Sequence, residues 1–140
     1  MLMGFPTRPI SASSTPGGGG TSSLSLIELR IADTNYSIGQ AARIKTGTGG
    51  HVEVATGNAA SSSDGTIGVF NASGLAGTTA PIVTKGPTVA LPSCPDGPCF
   101  RSTTGDPVLV GSLSSGNYTC PLGVGDGTYL DVMVGEEVQV

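Results

Sequence analysis

Residues 38–91 read IGQAARIKTGTGGHVEVATGNAASSSDGTIGVFNASGLAGTTAPIVTKGPTVAL, and this stretch decides the fold class. Short runs rich in Val, Ile, Thr and Ala occupy 42–45, 51–55, 66–70, 79–84 and 87–91, with clusters of Gly, Ser, Asn and Asp between them. β-Branched residues suit a pleated, half-buried surface, whereas Gly, Asn and Asp supply the backbone angles of tight turns. Several strands in close succession are the pattern of a small all-β sandwich or barrel. Gly47-Thr48-Gly49-Gly50 predicts a hairpin that pairs 42–45 with 51–55. Residues 56–65 form a polar loop, Gly74-Leu75-Ala76-Gly77 the next turn, and Lys85-Gly86-Pro87 a further turn leading into 88–91. Pro81 and Pro87 lack an N–H for a ladder and fit strand beginnings or edges.

Working outward, SLSLIELRIA at 23–32 sets Ile27, Leu29 and Ile31 against Glu28 and Arg30, a strand with one apolar and one polar face. Leu24 and Leu26 fall out of phase with that set. Either a bulge lies near Leu26, or the first part of the strand is covered on its other face. Beyond the block, PSCPDGPCFRSTT at 92–104 reads as an irregular loop pinned by Cys94 and Cys99. Strand signals return at 107–111, weakly at 117–119 and clearly at 128–134, and 136–140 continues after Gly135. Nothing in the chain signals a helix strongly.

Composition narrows the function. Charged residues make up only 11% of the chain, aromatic residues 4%, and Trp is absent, so the core must come from Val, Ile, Leu and Ala. Such a core is small, and a domain built on it gains from an assembly interface. The net charge is −4, and the six basic residues (Arg8, Arg30, Arg43, Lys45, Lys85 and Arg101) are scattered. Phosphate binding needs clustered cations, and only Arg43 and Lys45 come close, alternating on what reads as a solvated strand face, so no nucleic-acid partner is expected. No run approaches the roughly 20 apolar residues that span a bilayer, so no membrane partner is expected either. MLMGFPTRPISASST lacks the apolar centre of a secretory signal, so synthesis and assembly in the cytosol are expected, unless the protein leaves as part of something larger.

Residues 1–22 stand apart from the domain at 23–140. Pro6, Pro9, Pro16 and four glycines at 17–20 give this segment the composition of a linker. One reading is a plain tail. The other is a docking arm anchored by Met1, Leu2, Met3, Phe5, Arg8 and Ile10, able to reach at most about 70 Å when extended, and to lie on a neighbour or add a strand to its sheet.

Reactive constellations are few. Cys94 and Cys99 bracket a Pro-Asp-Gly-Pro turn, so a small loop-closing disulfide, free thiols and a metal site all stand as readings, with Cys120 left over or else paired with one of them. The metal reading is the weakest, because Cys-x4-Cys with one distant Cys and one His fits structural-zinc spacing poorly. His51 is the single histidine, with no nucleophile motif to serve, and reads as a turn residue. Gly47–Gly50 lacks the helix and Lys of a phosphate loop, and Gly125-Asp126-Gly127 with Asp131 lacks the full ligand spacing of a calcium loop. Asn35, Asn71 and Asn117 head glycosylation triplets of the kind a Ser- and Thr-rich chain produces by chance. No catalytic residue, cofactor or metal is expected.

The order IGQAARI, HVEVATG and SSSDGTIGVFNASGLAGTTAPIVTKGPTVAL resembles the head-decoration (cement) proteins of tailed phages, and GDPVLVGSL at 105–113 resembles a later strand of that family. The likeness lies in strands and turns over about half the chain. It implies a small β-barrel or β-tulip domain that forms a homotrimer and binds the major capsid protein at local three-fold positions on the outside of an expanded shell, with the N-terminal arm reaching onto the shell or a neighbour. A phage tail, fibre or adhesin module that contacts a host surface, through loops such as 56–65, is the alternative.

Overall fold

A computed structural model of the chain describes residues 24–56 and 65–140. Within them the strands are β1 (Leu26–Ile31), β2 (Ala41–Ile44), β3 (Val52–Val54), β4 (Thr66–Phe70), β5 (Thr79–Pro87), β6 (Asp96–Arg101), β7 (Pro107–Val108), β8 (Tyr118–Thr119), β9 (Pro121–Asp126), β10 (Leu130–Met133) and β11 (Val138–Gln139). One sheet runs in the order β3-β2-β4-β5-β10-β9-β6-β7, with β1 also paired to β5, and β8 and β11 form a separate ribbon. All these strand pairs are antiparallel. The sheet curls into a half-barrel, as the all-β barrel reading expects. The helical content of the described residues is a single 3-10 turn, Val110–Ser112.

The central strands bury both faces. Successive side chains of a strand point to opposite sides of the sheet. Ala41, Val69 and Val83 face one core, which they share with Leu91, Cys99, Cys120, Leu122, Leu130 and Val132. Their neighbours Ala42, Phe70 and Ile82 face a second core with Ala32, Tyr36, Val52 and Ala80. Strands covered on both sides lose the polar alternation of half-exposed ones, which is why 66–70 reads as TIGVF. The second core holds an aromatic pair, Tyr36 stacked on Phe70 with ring centroids 4.6 Å apart. Tyr36 is fixed by a 3.0 Å hydrogen bond between its hydroxyl and Thr78 Oγ1 and by a bridge to Gly74.

Of the 107–111 run only Pro107–Val108 is strand, Val110–Ser112 being the 3-10 turn, and 136–140 does not prolong β10 but supplies β11 to the ribbon with β8. The strand positions depart from the sequence reading in three further places. First, 79–84 and 87–91 are not two strands joined by a turn. β5 runs unbroken through Lys85 and Gly86 to Pro87, because Gly86 takes a φ of +95° within the strand and redirects the chain without reversing it. Residues 88–91 then follow β10 by isolated backbone bonds, Thr88 N–H to the Leu130 carbonyl and Leu91 N–H to that of Thr128. Second, 92–104 is not wholly irregular, since β6 occupies its middle and pairs with β9 and β7. Pro98 is tolerated there because its position pairs with Val124 of β9, while β7 meets β6 only at Phe100 and Arg101. Third, β9, sequence PLGVGD, carries no strand signal because two glycines interrupt it.

Those glycines are required by close packing. At Gly123 the backbone has a φ of +143°, and a Cβ would run into the Asp131 carbonyl of β10. At Gly68 a Cβ would strike the Val83 carbonyl. Gly123→Ala should therefore destabilise the fold by about 2 kcal/mol or more, read as a lower urea midpoint. An unchanged midpoint would mean that β9 and β10 part without cost.

Candidate docking surface

β1 presents its apolar face to solvent. Ile27, Leu29 and Ile31 pair with Val83, Pro81 and Thr79 of β5. Val83 lies in the first core, so the β1 set extends that side of the sheet beyond the residues that cover it. Leu29 is 69% exposed, Ile27 49% and Ile31 42%, and Leu26 and Leu24 are more than half exposed beside them. The sequence predicts the two faces of this strand, and the structure puts the apolar one outward. The register shift between Leu26 and Ile27 is the bulge that brings the out-of-phase Leu26 into the same exposed strip. The strand is anchored to β5 at its start by the Ser25 hydroxyl donating to the Pro87 carbonyl and by Thr84 Oγ1 donating to the Leu26 carbonyl at 3.3 Å.

The polar face of β1 closes against the β2–β3 hairpin. Arg30 grips Glu28 Oε2 with Nε and Nη2, each at 3.0 Å, and donates Nη1 to the Gly50 carbonyl at 2.8 Å. A cleft of about 460 Å³ lies beside these groups, lined by Glu28, Arg30, Gly50 and His51 among others. His51 Nδ1 lies 2.8 Å from Asp33 Oδ1, and Lys45 Nζ lies 3.4 Å from Asp33 Oδ2. This cluster ties the turn after β1 to the hairpin, where its residues are bonded to one another. Arg43, read as part of a solvated face, instead sits opposite Glu53 across the hairpin at 3.6 Å and is largely covered.

The remaining sequence candidates resolve into turn chemistry. Asn35 Oδ1 accepts from Ala76 N–H, and Asn71 Oδ1 accepts from Val89 N–H, so both asparagines latch distant loops. Asp126 Oδ1 accepts from the N–H groups of Thr128 and Tyr129, and these bonds hold its carboxyl below its ordinary 3.8. That is the capping of the β9–β10 turn. Among the described residues no cluster of three or more His, Cys, Asp and Glu side chains could hold a metal, and no helix is long and apolar enough to cross a membrane. Cys94, Cys99 and Cys120 are thiols, the last two buried. The proposed arm anchors Met1, Leu2, Met3, Phe5, Arg8 and Ile10, and most of the 56–65 loop, lie outside the described residues.

Arg101 is the residue that sequence reasoning passed over. It is 1% exposed, donates Nη2 to the Tyr118 carbonyl at 2.9 Å, and its own carbonyl accepts from buried Thr119 Oγ1 at 2.6 Å. It fastens the β8–β11 ribbon to β6. Burial lowers its pKa from the usual arginine value. Nothing in CFRSTT distinguishes it from a surface arginine.

No family model, curated protein or solved structure matches the chain.

The Asp33 cluster has a pH signature. The hydrogen bond with His51, helped by Lys45, holds the Asp33 carboxyl below its ordinary 3.8. A carboxyl whose folded pKa lies below its unfolded value stabilises the fold above the unfolded pKa and loses that contribution as pH falls through the folded one. Asp33→Asn should therefore melt at a lower temperature than the parent chain near neutral pH, and the gap should close on acidification below 3.8. Thermal melts by circular dichroism across that range check this, and a gap that is constant with pH would exclude the carboxylate charge as its cause.

Proposed function

We propose that the protein is a structural virion component, a decoration protein that binds the major capsid protein on the outer face of an expanded phage capsid and acts as a homotrimer at local three-fold sites. The observation that carries this reading is the uncovered apolar face of β1, placed immediately after the segment that holds Met1, Leu2, Met3, Phe5, Arg8 and Ile10. An edge strand with an apolar face is a surface that association can bury, and burying a Leu or Ile side chain contributes about 1.5–3 kcal/mol. The resemblance of 38–91 to cement proteins supplies the partner. Binding that favours the expanded shell stabilises that state by the differential binding free energy, and three linked copies gain further through effective concentration. Work of this kind is done by surface complementarity and calls for no reactive group.

Two variants test it on purified expanded shells. Removing residues 1–20 should abolish shell occupancy while the β-sheet circular dichroism signal is kept. Leu29→Glu in the full chain should weaken occupancy by about tenfold or more. Full occupancy by both variants would overturn the reading. Location of the labelled protein on the tail, with the shell bare, would replace it with the tail or adhesin alternative.

A further inference from the structure

We propose that Cys94 and Cys99 form a two-electron redox site that closes to an intramolecular disulfide across Gly125, by exchange with a low-molecular-weight disulfide. The proposal stands on the packing of three residues and does not depend on the capsid reading. Cys94 lies on the segment before β6, Cys99 within β6, and Gly125 on β9, opposite Gly97. A Cβ on Gly125 would sit 2.8 Å from Cys94 Sγ and 3.2 Å from Cys99 Sγ, so both sulfurs border one small volume that the missing side chain leaves open. Both sulfurs also turn to the same carbonyl, that of Pro95, at 3.5 Å for Cys94 and 4.0 Å for Cys99. Cys120, in the same core as Cys99, lies beside Thr66, Arg101 and Glu137, and only Cys94 and Cys99 border the space at Gly125.

The two thiols divide the exchange between them. Cys99 is 1% exposed, whereas Cys94 is half-buried, so the small oxidant meets Cys94 first. Cys94, having lost its proton to water, attacks one sulfur of R–S–S–R. That S–S bond breaks, and R–S⁻ leaves with its electron pair. Cys99, deprotonated in turn, attacks the Cys94 sulfur of the mixed disulfide and expels the second R–S⁻. The protein thiols are oxidised by two electrons, the small disulfide is reduced to two thiols, and the two protons end on the leaving groups. A thiol reductant runs the sequence backwards. Burial raises the pKa of both cysteines, which keeps the thiolate fraction low and the exchange slow. The closed bond would fasten the segment around Pro95 to β6.

The test uses the full chain and oxidised glutathione as the probe, read by intact mass and by peptide mapping after alkylation under denaturing conditions. The expected product is lighter by two hydrogens, keeps one alkylatable thiol of the original three, contains a Cys94–Cys99 linkage and reverts with dithiothreitol. Cys99→Ser should stop at a single glutathione adduct on Cys94, and Cys94→Ser should take up glutathione far more slowly. Should either variant fail to fold, the mapping of the parent chain decides alone. A parent chain that keeps three thiols, stops at a stable glutathione adduct, or links Cys120 instead would overturn the proposal.

Discussion

The structure depends on β5 serving three partners. Thr79 to Val83 and Lys85 pair with β1, Ile82 and Val83 also pair with β4, and Lys85 to Pro87 pair with β10. One strand thus joins the hairpin half of the molecule, β2 to β4, to the half made by β6, β9 and β10. Two conditions follow from that role. The strand must be buried on both faces at its centre, hence Ile82 and Val83 in different cores. It must also bend where the partners change, hence Gly86 at positive φ, buried against the backbone of Leu24 and Ser25. Backbone packed this tightly gives up side-chain volume for hydrogen bonds. That exchange suits a chain with so few aromatic residues.

Much of this architecture was readable in the sequence, and the misplaced strands share a cause. The fold class, the 66–70 strand, the β2–β3 hairpin and the bulge near Leu26 follow from β-branched runs and glycine turns. The misplaced elements, β5 beyond Thr84, β6 and β9, all contain Gly or Pro inside a strand. Local rules treat these residues as breaks. Here Gly123 and Gly125 let neighbouring backbones approach closely, and Gly97 and Pro98 sit where β6 is paired on one side. Whether a glycine ends a strand or lets another chain segment near is decided by contacts distant in sequence, which a local pattern does not contain.

The surface was legible in a different way. The alternation in LIELRI identified two faces of β1 without saying which one meets solvent. Burial is a property of what covers a strand, and the elements that cover Val83 stop short of Leu29. Arg101 shows the converse, a charge in the interior whose partners Tyr118 and Thr119 lie on a ribbon formed by a later part of the chain. Asn35 and Asn71, which match a modification triplet, act instead as side-chain acceptors for loop amides.

The division of the interior into two cores also sorts the molecule's spectroscopic groups. Tyr36 and Phe70, the stacked aromatic pair, belong to the core beneath the hairpin. Cys99 and Cys120 belong to the other, on the opposite face of the same sheet. Near-ultraviolet tyrosine ellipticity therefore draws on the first compartment through its one buried tyrosine, and the accessibility of buried sulfur reports the second. The two faces of a single sheet carry separate labels, so loosening of one side can be told from loosening of the whole without adding a probe.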